Sequence, residues 1–261
     1  MGTFKHGKLP DFLICGFQKC ATSALAVNLN KHPKICVSRT KHPNSKVSEG
    51  KEFNFFASQN VSRNTTSEGI SWYKSHFNYE DDMVYGESSP NYSFYADDVI
   101  ANCLRFGLGD SQTKFILSIR NPIYRAYSAY NHFLQEPDVF KDTESKRELS
   151  FIDNVMATEV WCKFSYSQVI DKYFNAFGRD RVLVVSQERL QNSHRSEYRK
   201  IFRFLGLPNH TIKNEVVHSR SKERPMRSKE KSFLIGYFLR EVRTLQALLS
   251  DPLEEWEEFT T

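Results

Sequence analysis

KFILSIR (114–120) gathers Phe115, Ile116, Leu117 and Ile119, broken only by Ser118, and stops at Asn121-Pro122, and the residues after it change period: Ile123, Ala126, Tyr127 and Tyr130 stand at i, i+3, i+4 and i+7. An apolar run without polar alternation fits a strand covered on both faces, and the change of period marks its entry into a helix. Asn121 suits the N-cap, and Pro122 suits the first helical position, where its missing N–H costs nothing. The helix is expected to reach about Leu134, with Arg125, Ser128 and His132 sharing a second face.

The same alternation recurs along the chain. Phe12–Cys15, ICVS (35–38), the start of MVYGESSPNY (83–92) and VLVVS (182–186) read as strands. Thr22–Asn30, ended by His32-Pro33, and GISWYKSHF (69–77) read as helices. Tyr166, Val169, Ile170, Tyr173, Phe174 and Phe177 mark a further helix closed by Gly178, and Leu234, Phe238, Val242, Leu245 and Leu249 mark a C-terminal one. Strands alternating with helices predict an α/β fold, a central parallel sheet flanked by helices. Without an internal repeat or linker, residues 1–261 read as a single domain.

With 21 Phe and 12 Tyr the chain can fill a large core, which excludes a disordered protein. Its net charge of +5 suits an anionic ligand or simply a solvated basic surface, and no nucleic-acid-binding tail or motif is present. The five cysteines are scattered without a C-x-x-C pair, which argues against a zinc site or a disulfide framework. Cys15 and Cys36 lie in apolar strands and read as buried. No stretch approaches the ~18 apolar residues of a membrane span, and the first ten residues lack a signal-peptide core. Asn60, Asn64, Asn91 and Asn209 begin glycosylation triplets, weak evidence of secretion because such triplets also arise by chance.

Directly after the first strand comes GFQKCATSAL (16–25). A glycine, a lysine and adjacent hydroxyls at a strand-to-helix junction suit a phosphate, since backbone N–H groups and the helix dipole point the same way. The alternative is a tight β–α turn whose lysine faces water, and this stretch by itself leaves both readings open. It is not the nucleotide-triphosphate loop, which needs Gly-Lys-Ser/Thr unbroken. A P-loop phosphotransferase would also need an acidic magnesium ligand after a later strand, and the strands here run into SIRNP and VVSQE.

GFQKCATSAL, His32-Pro33, KEFNFF (51–56), GISWY (69–73), GESSPNY (86–92), RNPIYRAYSAYNHF (120–133) and SQERL (186–190) come in the order and spacing of one family. Together they resemble the sulfotransferases that use 3′-phosphoadenosine 5′-phosphosulfate (PAPS), nearest the heparan-sulfate N- and 3-O-sulfotransferase type and its bacterial relatives. The resemblance implies a P-loop-like sulfotransferase fold, PAPS as donor with PAP as product, and no metal. It places Gly16, Gln18, Lys19, Cys20, Ala21, Thr22 and Ser23 in the 5′-phosphosulfate loop. Lys19 then stabilises the leaving phosphate. Relatives usually carry one or two glycines where this chain has Cys20-Ala21.

Arg120 and Ser128 fall on the pair that binds the 3′-phosphate, and Arg224 and Arg227 on a late basic loop over it. Glu52 falls on the catalytic base and His132 on a histidine near the acceptor. Ser88 stands where heparan-sulfate enzymes often carry a lysine. The acceptor implied is a glycan hydroxyl or amine; a small amine or alcohol, or an inactive glycan-binding module of the same fold, are the alternatives. The compartment expected is the cytoplasm if the chain is whole, and the Golgi lumen if it is part of an anchored enzyme.

Overall fold

The computed structural model describes residues 7–38, 52–57, 65–77, 82–135, 150–157, 165–213 and 225–260. They divide into two compact units, Met1–Ile119 with Lys172–His218 and Arg120–Asp171 with Ser219–Thr261.

The first unit is built on a five-stranded sheet. Its strands are β1 (Phe12–Gly16), β2 (Ile35–Ser38), β3 (Val84–Ser88), β4 (Lys114–Ile119) and β5 (Val182–Ser186), in the order β2-β3-β1-β4-β5 with every pairing parallel. Parallel strands need crossovers, and α1 (Thr22–Leu29), α2 (Gly69–Lys74) and α3 (Ala96–Arg105) lie in the connections between successive strands. α7 (Gln187–Asn192) and α8 (His194–Phe204) follow β5. The strands appear where the apolar runs predict them. α3 and α8 were not anticipated: α3 buries only Ala96, Val99 and Cys103, and α8 buries Tyr198, Ile201 and Phe202 amid five basic residues.

Phe12, Leu13, Ile14 and Cys15 are all fully buried, as a central strand covered on both faces requires. One face packs Phe12, Ile14 and Ile116 with Leu25, Leu29, Ile201 and Phe202 of α1 and α8. On the other, Phe115 stacks on Phe177 with ring centres 4.0 Å apart. The ring of Phe12 lies over its ladder partner Gly86, where a Cβ would stand 2.4 Å from the ring. The edge strand β2 alternates buried and half-buried residues, so Cys36 is half-buried rather than buried as expected.

The second unit holds α4 (Pro122–Gln135), α5 (Phe151–Ala157) and α9 (Ser228–Leu249). α6 (Tyr166–Phe177) begins in this unit and ends in the first. α4 starts as the sequence predicts: Asn121 Oδ1 accepts the N–H of Ile123 at 3.1 Å. Ile123, Ala126, Tyr127 and Tyr130 are buried, with Tyr127 and Tyr130 edge-on to Phe151. Arg125, placed on the polar face by its spacing, is buried, its guanidinium 5.6 Å from the ring centre of Tyr166. Glu241 of α9 caps α6 by accepting the N–H of Ser167 at 2.8 Å and the Ser165 hydroxyl at 2.8 Å.

Candidate active site

The Gly16–Ser23 loop leaves the end of β1 against β4. The N–H of Phe17 donates to Ser118 O (2.8 Å), and the Ser118 hydroxyl donates to Cys20 O (2.6 Å). Gly16 has φ +146°, and a Cβ there would lie 2.5 Å from Ser93 Cβ, so this junction needs glycine. Lys19 (φ 65°) and Ala21 (φ 59°) both adopt the left-handed conformation. A residue with a Cβ loses about 1 kcal/mol there, a strain that glycine would avoid. The Cys20 side chain turns inward and is fully buried.

Ala21 stands at the N-cap of α1, where its methyl side chain makes no cap bond, and the first turn has no acidic residue. An uncapped, acid-free helix start beside Lys19 and the hydroxyls of Thr22 and Ser23 is a donor set that fits a phosphate or sulfate ester.

Glu52 is exposed, whereas Phe53, Phe55 and Phe56 directly after it have no exposed surface. The three rings anchor the segment: Phe53 stacks on Phe77 (5.8 Å), Phe55 stacks on Tyr73 (4.4 Å), and Phe56 meets Tyr92 edge-on (5.9 Å). Asn91 joins this segment to the loop. Its Nδ2 donates to Asn54 Oδ1 at 3.1 Å, and its Oδ1 accepts from Gln18 Nε2. Lys19 and Glu52 are thus carried by segments that share one amide. The Asn91 glycosylation triplet is spent on that bridge, since both amide atoms are engaged.

Beneath lies Glu87, with no exposed surface. Its carboxyl accepts the hydroxyls of Tyr92 (2.6 Å), Tyr73 (3.0 Å) and Ser89 (3.0 Å). Burial pushes it up to about 7, against the three hydroxyl bonds, and the negative charge of Glu52 adds to the rise. Burial likewise raises Tyr73 and Tyr92 well above the ordinary tyrosine value. The sequence reading missed Glu87, Asn54 and Asn91. The available signal was an acid inside GESSPNY, a segment expected to begin as a strand of a parallel sheet, where both faces are covered.

In the second unit Arg120 and Ser128 are half-buried, Arg120 at the residue after β4 and Ser128 on α4. The Arg120 carbonyl accepts the hydroxyl of Tyr166 at 2.8 Å. Glu258 holds the start of α4: it accepts from Asn121 Nδ2 (2.8 Å), the Tyr124 hydroxyl (2.7 Å) and Lys231 Nζ (2.8 Å). Partial burial would raise Glu258, but the bonds from Lys231 and Tyr124 outweigh it and hold the carboxyl below its ordinary value. Lys231 stands one turn into α9, and its N–H donates to Arg227 O, so exposed Arg227 is tied through α9 to the segment carrying Arg120. His132 is half-buried near the end of α4. Arg224 lies outside the described residues. Among the described residues no group of His, Cys, Asp and Glu is arranged to hold a metal ion, and no helix is long and apolar enough to cross a membrane.

The sulfotransferase domain model matches residues 9–236. The chain is 26% identical over 226 residues to the bifunctional heparan sulfate N-deacetylase/N-sulfotransferase 1 of Caenorhabditis briggsae, covering 82% of this chain and 24% of that protein. It is 27% identical over 209 residues to the heparan sulfate glucosamine 3-O-sulfotransferase 5 of Mus musculus, covering 77% of this chain and 54% of that one. It therefore spans about a quarter and about half of these relatives. In fold it is similar to a sulfotransferase from Alicyclobacillus acidocaldarius, with a TM-score of 0.70 at 22% identity over 96% of this chain and 99% of that one. A mouse sulfotransferase complexed with PAP aligns with a TM-score of 0.50 at 14% identity, over 78% of this chain and 61% of that one. With the family model spanning most of its length and the five-stranded parallel sheet beneath it, this chain belongs to the sulfotransferase domain family.

Proposed function

We propose that the chain moves the sulfuryl group of PAPS to a hydroxyl or amine of a carbohydrate acceptor, with Glu52 as general base. The observation that carries this reading is the Gln18–Asn91–Asn54 bridge, which couples the loop bearing Lys19 to the segment bearing Glu52. The heparan-sulfate enzymes among the relatives support a glycan as acceptor.

PAPS supplies an activated sulfuryl group whose leaving group is a phosphate, and the chain's own residues do the rest. The amides and hydroxyls at Thr22 and Ser23, with Gly16, Gln18, Cys20 and Ala21 shaping the loop, are assigned the 5′-phosphosulfate. Lys19 meets the charge that gathers on the departing phosphate oxygen. Arg120 and Ser128 are assigned the 3′-phosphate, a guanidinium-and-hydroxyl pair suited to a terminal phosphate, with Arg227 in support. Glu52 takes the acceptor proton as the acceptor oxygen or nitrogen bonds to sulfur and the sulfur–oxygen bond to phosphate breaks. His132 is assigned to the acceptor side.

The test is a screen of radiolabelled PAPS against N-desulfated heparin, heparosan and a set of small amines and alcohols. Transfer of label to a polysaccharide is the expected outcome; label on small acceptors alone redirects the acceptor assignment. PAP binding without labelling of any acceptor favours a glycan-binding module over an enzyme. In the same assay Glu52→Gln is expected to lose about 10²- to 10⁴-fold in turnover while PAP affinity, read by calorimetry, stays near wild type. Wild-type turnover in that variant removes Glu52 from the mechanism.

A further inference from the structure

The proposed chemistry leaves Glu87 without a part, yet the fold tolerates a fully buried carboxyl there. Burying a carboxyl is costly unless its hydrogen bonds are worth keeping. Each hydroxyl that meets Glu87 gives it its single proton, which leaves the hydroxyl oxygen to accept from elsewhere. Two of the three do so. Ser89 Oγ accepts the N–H of Asn54 at 3.0 Å, and Tyr92 Oη accepts the N–H of Phe56 at 3.2 Å. The amides of Asn54 and Phe56, two and four residues after Glu52, therefore end, through one hydroxyl each, on the same carboxyl.

We propose that Glu87 is a positioning residue for Glu52: by fixing the proton direction of Ser89 and Tyr92, it holds the amides of Asn54 and Phe56 and with them the approach of the Glu52 carboxylate. This rests on the reading of Glu52 as the base. The third hydroxyl, from Tyr73, shares Oε1 with Tyr92 and also stacks on Phe55, so it clamps the same segment from the α2 side. A glutamine at 87 cannot take over the whole task. Its oxygen serves the two tyrosines, but its NH₂ then faces Ser89, turning that hydroxyl from donor to acceptor on the Glu87 side and leaving its proton without a carboxyl. The groups facing Glu87 are Tyr73 of α2, Tyr92 and Ser89 after β3, and Glu52, with Cys15 of β1 and Cys103 of α3 in electrostatic reach.

The experiment compares wild type, Glu87→Gln, Ser89→Ala and Tyr92→Phe in the full chain at a pH well above 7, where the Glu87 carboxyl is ionised. Amide exchange is followed residue by residue, PAP affinity by calorimetry, and turnover with labelled PAPS on N-desulfated heparin. In Glu87→Gln, exchange at Asn54 and Phe56 is expected to quicken roughly tenfold or more while β1 and β4 amides keep their protection. kcat is expected to fall about tenfold or more with the KM for PAPS unchanged, because a shifted base affects the reacting geometry rather than donor binding.

Ser89→Ala is expected to release the Asn54 amide alone, and Tyr92→Phe the Phe56 amide alone. These single-arm variants decide the matter should Glu87→Gln not fold. Unchanged exchange at both amides, a uniform loss of protection across the sheet, or wild-type kcat in the variants while wild type is active overturns the role of Glu87. A wild-type protein that labels no acceptor overturns instead the sulfotransfer reading on which that role depends, and the amide data then still report whether the carboxyl holds the segment.

Discussion

Glu87 in the first unit and Glu258 in the second each anchor a segment that carries candidate functional residues, and they do so with opposite electrostatics. Glu87 is sealed from water and held by three neutral hydroxyls, so burial dominates and lifts its carboxyl to about 7. Glu258 is half-buried and meets the ammonium of Lys231 besides Asn121 and Tyr124, so its carboxyl is held below the ordinary value. The contrast teaches that the same side chain can stiffen a segment either by ordering neutral donors at a cost to its own charge, or by ion pairing at the surface with little cost.

The contrast can be broken most forcefully by removing each carboxyl. Glu87→Leu strands the hydroxyls of Tyr73, Tyr92 and Ser89 in a dry interior, and each orphaned donor costs about 1–3 kcal/mol. A loss of roughly 3 kcal/mol or more in denaturant unfolding is expected. Glu258→Leu leaves Tyr124 and Lys231 facing water and takes one acceptor from the buried Asn121 amide, which should cost about 1–2 kcal/mol. Equal losses would erase the distinction.

The pH dependence sharpens it. In the unfolded chain Glu87 binds its proton near 4.5, and in the folded protein near 7. Between those values the folded state holds the extra proton, so the contribution of Glu87 falls as pH rises through that window and is flat above it, by roughly 3 kcal/mol in all. Wild type should therefore lose stability relative to Glu87→Gln between pH 4.5 and 7, measured by thermal unfolding of both proteins. A parallel pair of curves would refute the raised carboxyl.

Glu258 carries the opposite sign. Its lowered carboxyl stabilises the fold above the ordinary carboxylate range, and that gain disappears as pH falls through the folded value. Solvent screening limits it to under about 1 kcal/mol, so wild type and Glu258→Gln should converge only in acid.

The smallest effect belongs to the loop itself. Ala21→Gly relieves the left-handed strain of about 1 kcal/mol but frees the unfolded chain by a similar amount. Stability is expected to change by less than about 1 kcal/mol, with PAP affinity equal to wild type or tighter.

Much of this was legible in the residues. KFILSIRNP announces a buried strand, an N-cap and a first-turn proline, and each is where its chemistry requires. The strand-to-helix junction was legible because an apolar run meets Gly16 and a helical segment opens within a few residues. Glu87 was not, because an acid in a strand says nothing of its burial until neighbours are known, and β3 proves to lie between β2 and β1. Glu258 was hidden for a different reason: its partners Asn121 and Tyr124 are more than a hundred positions away, and EEWEEF (254–259) holds four acids with nothing local to single one out. The helices α3 and α8 were missed because their buried stripes are narrow, Ala96, Val99 and Cys103 in one and Tyr198, Ile201 and Phe202 in the other.

Asn91 spends its oxygen on Gln18 and its nitrogen on Asn54, so its amide has only one workable orientation. Aspartate in that place would set two oxygens against each other, and leucine would silence both neighbours at once. Drift at any of these three positions must therefore be answered at the other two, and related chains should change Gln18, Asn54 and Asn91 as a set or leave all three alone.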